Sequence, residues 1–185
     1  VTDQTVTATT TDNDSPGLSV SQSDASTLVD ETGSTDSFTV ALTTQPLSDV
    51  VLTVASGDTG EATVSPATLT FTAGNWNTTQ TVTVTGVDDT TVDGDQDTTV
   101  TISVDDDNSD NAFDGVAYQT VTATTTDNDS PGLSVSQSDA STLVDETGST
   151  DSFTVALTTQ PLSDVVVAVS SADTGEATVS PATLT

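Results

Sequence analysis

The chain contains no lysine, arginine, histidine, cysteine or methionine, and its side-chain charge comes from 29 acidic residues that set a net charge of −29. Each absence removes a class of chemistry. With no cation to neutralise phosphates, nucleic acid and anionic membrane surfaces are excluded as direct partners. Without cysteine there are no disulfides, thiolate metal sites or thiol nucleophiles, and without lysine there are no Lys–Asn isopeptide crosslinks. The usual nucleophile–base pairs therefore cannot be assembled. Carboxylate chemistry such as glycoside hydrolysis remains, but it works in an aromatic cleft, and only 3% of this chain is aromatic. The sequence predicts a protein that is not an enzyme. It also lacks a long apolar run and a charged-then-apolar leader, so a native start, signal peptide or anchor is expected outside these 185 residues.

What is present is a repetition. Pro131 follows Pro16 by 115 positions, and residues 116–185 depart from residues 1–70 only where Ala117, Tyr118, Val167, Ala168, Ser170 and Ala172 replace Thr2, Asp3, Leu52, Thr53, Ala55 and Gly57. Taking 16–130 as one complete unit, residues 1–14 read as the last strand of a preceding repeat and 131–185 as an incomplete following one. Asp12-Asn13-Asp14-Ser15-Pro16-Gly17 leaves almost no linker, which predicts closely docked neighbours. Units copied head to tail lengthen stalks, fibres and surface layers.

Within the unit, apolar residues alternate with Thr or Ser in short runs, the period of a strand with one face in a core and one in water. Phe38, Val40 and Leu42 share a face, as do Val50, Leu52 and Val54, then Leu69 and Phe71, Val82 and Val84, and Val100, Ile102 and Val104. With Leu18–Ser23 and Tyr118–Thr125 this makes about seven strands. The turns between them carry Gly, Pro and Asp, as in Ser56-Gly57-Asp58 and Ser65-Pro66. The expected fold class is all-β, an immunoglobulin-like antiparallel β-sandwich in tandem repeats of 115 residues.

The acids are unusual in kind and in placement. Only Glu31, Glu61, Glu146 and Glu176 are glutamate, the rest are aspartate, and ten acids crowd between Asp88 and Asp114. Short Asp side chains favour turns and close metal cages. Three groups stand out: Asp88-Asp89 with Asp93 and Asp95, Asp127-Asn128-Asp129, and Glu31 with Asp58. Alternate turns of a sandwich lie at the same pole, where such groups would converge. Carboxylates about 4 Å apart repel by roughly 1 kcal/mol in water and about 4 at an effective dielectric near 20, so a cluster would splay without a counter-ion. Many flexible oxygen ligands suit Ca²⁺ better than Mg²⁺. The alternative is a solvated acidic loop that raises hydration and solubility.

Val29-Asp30-Glu31-Thr32-Gly33, Phe38-Thr39-Val40-Ala41-Leu42, Gly57-Asp58-Thr59, Leu69-Thr70-Phe71-Thr72-Ala73-Gly74, Val82-Thr83-Val84 with Asp88-Asp89, and the closing Asp127-Asn128-Asp129 resemble, in this order, the Calx-β family. That family is the calcium-binding sandwich of sodium–calcium exchanger regulatory regions and of bacterial surface and adhesin arrays. The resemblance spans the whole unit. It implies calcium ligands at Glu31, Asp58, Asp88, Asp89, Asp127 and Asp129, with Asp93 or Asp95 in place of the family's acids after the paired Asp. Corresponding positions of the neighbouring copies are Asp12, Asp14, Glu146 and Asp173. The chain departs from the family after Gly-Asp-Thr, where an Asp-Tyr pair gives way to Gly60-Glu61-Ala62-Thr63. Asn75-Trp76-Asn77 ahead of a Thr/Val strand is similar to repeats of giant bacterial extracellular proteins.

Two functions compete. In the first, calcium stiffens a spacer in a large secreted or cell-surface bacterial protein, with neighbouring repeats and other copies of the chain in a fibre as partners. In the second, a Thr-rich sandwich face binds glycan, ice or another subunit. Three lesser features have plain readings. The run Asp105-Asp106-Asp107-Asn108-Ser109-Asp110 lacks the Gly and final Glu of an EF-hand and reads as loop solvation. Trp76 reads as a plug at one end of the core rather than a sugar platform. Asn13, Asn77 and Asn128 begin short N-glycosylation patterns that are frequent by chance.

Overall fold

Alternation of apolar and hydroxyl side chains builds nine strands between Leu18 and Thr126 in this computed structural model, which describes residues 1–185. They are β1 (Leu18–Gln22), β2 (Thr27–Asp30), β3 (Thr35–Leu42), β4 (Val50–Ser56), β5 (Ala62–Ser65), β6 (Thr68–Phe71), β7 (Gln80–Gly86), β8 (Gln96–Val104) and β9 (Gln119–Thr126). One sheet runs β1-β3-β7-β5 and the other β2-β9-β8-β4-β6. Every pairing is antiparallel except β2 with β9, which is parallel. This is an immunoglobulin-like β-sandwich. No helix is long and apolar enough to cross a membrane.

Phe38, Val40, Val82 and Val84 from the first sheet meet Leu52, Leu69, Phe71, Val100 and Ile102 from the second in one buried cluster. Period-2 geometry puts their Thr and Ser neighbours outside, where Thr39 pairs with Thr81 and Thr99 with Thr122 across strands. Trp76 packs against the cluster and its carbonyl accepts from the Leu42 amide at 2.9 Å, so it closes the core as its place in the sequence suggests.

Two strands go beyond the expected seven. Both β2 and β5 have four residues and, unlike the equally short β6 with Leu69 and Phe71, no two large apolar residues spaced two apart. Each is held by a distant partner, β2 by β9 and β5 by β7. A second departure concerns the run at 105–110. Asp110 is buried, and its carboxylate accepts from the amides of Leu47 at 2.6 Å, Ser48 at 3.0 Å and Ala112 at 3.0 Å. It is a clamp on the loop before β4, not a solvating charge. Those three amides hold its pKa below the ordinary 3.8, Ala112 contributing most.

Beyond Thr126, β10 (Leu133–Gln137) pairs with β11 (Phe153–Leu157), Leu133 facing Leu157 as Leu18 faces Leu42. Likewise β12 (Val167–Ala168) and β13 (Thr183–Leu184) set Val167 opposite Leu184, as Leu52 is opposite Leu69. Their apolar faces are less covered than those of the first unit: Phe153 is 37% exposed where Phe38 is 1%. Residues 1–17 form no helix or strand.

Candidate metal centre

Four chain segments end at the same pole of the sandwich, and each ends in acid. Strand β2 runs out at Asp30, and the Glu31 amide still donates to Thr126 O at 3.3 Å, prolonging the pairing with β9. This holds Glu31 against the end of β9, in a turn completed by Gly33 at φ +87°. Strand β9 runs into Asp127-Asn128-Asp129. Strand β7 stops at Gly86, whose amide donates to Ser34 O at 3.1 Å, and the Val87 amide donates to Glu61 O at 2.9 Å. Asp88 and Asp89 follow directly, while Glu61 immediately precedes β5.

The carboxylates gather in two triads. Oxygens of Glu31, Asp127 and Asp129 lie within 4.8 Å of one another, and so do those of Glu61, Asp89 and Asp93. Glu31 is only 2% exposed, and its Oε2 accepts the Asn128 amide at 3.0 Å. Asp127 is tied to the main chain: Oδ1 accepts from the Asp129 amide at 2.7 Å and Oδ2 from the Gly94 amide at 2.8 Å. Asp89 Oδ1 accepts from the Thr91 amide at 2.5 Å. Asp129 Oδ2 and Asp93 Oδ1, one in each triad, are buried oxygens with no hydrogen-bond partner.

Repulsion is visible in the acid strengths. The Asn128 amide favours the Glu31 carboxylate, yet burial and the charges of Asp127, Asp89 and Asp129 outweigh it and hold the pKa above the ordinary 4.5. Burial, then Asp93, Asp89, Asp58 and Glu31, push Glu61 up from 4.5. Asp129 is raised from 3.8 by burial and by Asp127, Asp88, Asp89 and Asp93. Asp127 moves the other way, lowered by the amides of Asp129 and Gly94. No cationic side chain exists to offset the cluster.

No family model matches this sequence, and no curated relative matches it. Solved structures are similar in part. SSP-19, an MSP-domain protein like family member in Caenorhabditis elegans, is 14% identical, with a TM-score of 0.38 over 58% of this chain and 97% of its own. The PapD-like domain 7 of human CEP192 is 10% identical, with a TM-score of 0.46 over 70% of this chain and 98% of its own. The E. coli chaperone DraB is 6% identical, with a TM-score of 0.43 over 63% of this chain and 59% of its own.

Of the residues singled out in the sequence, Glu31, Asp127 and Asp129 form one triad and Asp89 and Asp93 belong to the other. Asp88 is in neither triad and accepts from the Asn128 side-chain amide at 3.3 Å. Asp95 is turned to the Asp127 amide at 3.3 Å, and Asp58 to the Gly60 amide at 2.9 Å; neither is in a triad. Asp12, Asp14, Glu146 and Asp173 are exposed and join no group, Asp12 accepting from the Asp14 amide at 3.0 Å and Asp173 from the Gly175 amide at 2.9 Å. Glu61 is the ligand candidate the sequence reading missed. Recognising β5 would have placed it at a strand end facing the β7 exit.

Proposed function

We propose that the unit is a Calx-β-like calcium-binding spacer of a large secreted or cell-surface bacterial protein, and that calcium stiffens the array it belongs to. The carrying observation is the pair of buried, partnerless oxygens, Asp129 Oδ2 and Asp93 Oδ1, within two triads of mutually repelling carboxylates. Buried polar atoms in folded proteins are satisfied as a rule, and a hard cation supplies the missing partner and the missing charge together. Oxygen-only donors exclude soft metals as the preferred guest, and flexible carboxylates at several loop ends suit Ca²⁺ over Mg²⁺, which demands a tight octahedron. Glu31, Asp127 and Asp129 would hold one ion, and Glu61, Asp89 and Asp93 a second.

Because these loops join the strand ends of both sheets and lead through Asp129 into the next copy, a cation there braces the sandwich and its exit at once. Extracellular calcium modules bind at roughly 10⁻⁴–10⁻³ M, so such sites fill outside a cell and stay empty in cytosol. The near identity of the copies supports a spacer, since every unit is interchangeable. A Thr-bearing face that binds glycan, ice or a subunit is the competing role.

Calorimetric titration with CaCl₂ and melting in calcium against chelator test the proposal. At tenfold excess over the dissociation constant each ion adds about 1.4 kcal/mol, so the melting temperature should fall on chelation. Glu31→Gln and Glu61→Gln should each remove one binding event. Absence of binding heat together with an unchanged melting temperature would sink the calcium reading. Small-angle scattering separates the two roles: a spacer bends or shortens on chelation, and a binder keeps its shape.

A further inference from the structure

The loop between β7 and β8 does more than carry carboxylates: its middle reaches the following copy. Thr91 forms a parallel β-bridge with Gln160. The Gln160 amide donates to Thr90 O at 2.7 Å, and Gln160 O accepts from the Val92 amide at 3.3 Å. Val92 also borders a cleft of ≈ 660 Å³ alongside Pro131, Gln160, Pro161 and Leu162. A second link is close by, where Thr159 Oγ1 donates to Ser130 O at 3.4 Å.

The same corner exists a second time. Residues 43–51 have the sequence of residues 158–166, so Gln45 stands where Gln160 does. In this chain nothing is seated on Gln45: its amide and its carbonyl have no hydrogen-bond partner, and only its side chain is engaged, donating to Ala73 O at 2.9 Å. The adjoining Leu47 is 95% exposed. One corner sequence is therefore present twice, occupied at Gln160 and free at Gln45, where Asp110 also anchors Leu47 and Ser48. The occupied copy identifies what fits.

We propose that the Thr44–Leu47 corner is a docking socket whose occupant is the loop equivalent to residues 87–95 of a preceding copy of the unit. The contact is made by main-chain groups, so it tolerates side-chain drift in either partner. It is also directional, plug at one pole and socket on the neighbour, so units add head to tail with a fixed relative orientation. Two hydrogen bonds suffice here because the covalent connection through Ser130-Pro131 holds the partners at high effective concentration. The proposal rests on the tandem-array reading, and it does not require calcium.

Amide hydrogen exchange by NMR on the whole chain provides the test, with an internal control. Gln45 and Gln160 have the same sequence neighbours, so their intrinsic exchange rates match and a difference reports structure, which the extended chain below assigns to the clamp. Gln160 should exchange at least about tenfold more slowly than Gln45. Placing residues 1–115 ahead of residue 1 should slow Gln45 to the rate of Gln160. Val92→Pro, which deletes one donor, should release Gln160 while the Val82 and Val100 amides stay protected, showing that the sandwich is intact. Equal exchange at Gln45 and Gln160 in the original chain, or an unchanged Gln45 in the extended one, overturns the socket. Measured in calcium and in chelator, protection in both supports the clamp whatever the fate of the calcium reading. Protection in calcium alone supports the clamp and ties it to the carboxylates, and protection in neither overturns it.

Discussion

Three carboxyls at the acidic pole are weaker acids than usual and several others in the chain are stronger, and the difference fixes how metal-free stability follows pH. Glu31, Glu61 and Asp129 have raised folded-state values. Their contribution is fully present below the unfolded values of 4.5 and 3.8 and is lost as pH rises through the folded ones. Asp36, Asp110 and Asp127 are lowered from 3.8 by amide donors, so theirs is present above that value and lost as pH falls through the folded ones. In chelator the melting temperature should therefore rise as pH falls from about 7 to about 4.5 and fall again below about 3.8. In millimolar calcium the first limb should invert, because protons then compete with the cation for the same oxygens. Thermal melts across this range check both limbs, and a flat metal-free profile between the two upper pH values would remove the repulsion on which the candidate centre depends. The sequence marked Glu31, Asp89, Asp93, Asp127 and Asp129 because acidic turns are visible as composition. It passed over Glu61 and misjudged Asp110, since the role of each depends on which distant backbone it meets.

Strand β2 is where element packing and the candidate centre meet. Gly86, buried at the end of β7, faces the main chain of Asp30 so closely that a Cβ would overlap its carbonyl. Any larger residue must push β2 away, and the residue after Asp30 is Glu31. Gly86→Ala should cost about 1–3 kcal/mol as an overpacking change and weaken calcium binding as well, read by urea denaturation and by titration of the variant. A wild-type denaturation midpoint would show that β2 does not pack there. The longer strands, and the short β6 with Leu69 and Phe71, were legible because apolar residues recur at a spacing of two and that face matches the core. Neither β2 nor β5 could be read that way: neither has two large apolar residues spaced two apart, and pairing with β9 and β7 decides their state.

At the scale of the whole molecule, 29 acidic side chains with no basic ones make self-repulsion a term in every equilibrium of this chain. The Debye length falls from about 8 Å at 0.15 M to about 3 Å at 1 M ionic strength, so added NaCl should raise the metal-free melting temperature. The gain should be smaller once calcium is bound, because part of the charge is then neutralised in place. If NaCl alone reproduced the full effect of millimolar calcium, screening would account for the stabilisation and ligation would not be needed. By itself the sequence determined the β class, the long strands, the repeat period and the sign of the charge, since these follow from local alternation, identity between copies and composition. Only the tertiary structure decided which acids share a triad, which is a buried clamp, and which main-chain groups of one copy reach the next. Those choices are set by contacts between residues far apart in the chain, where burial and amide donors sort chemically identical side chains into different roles.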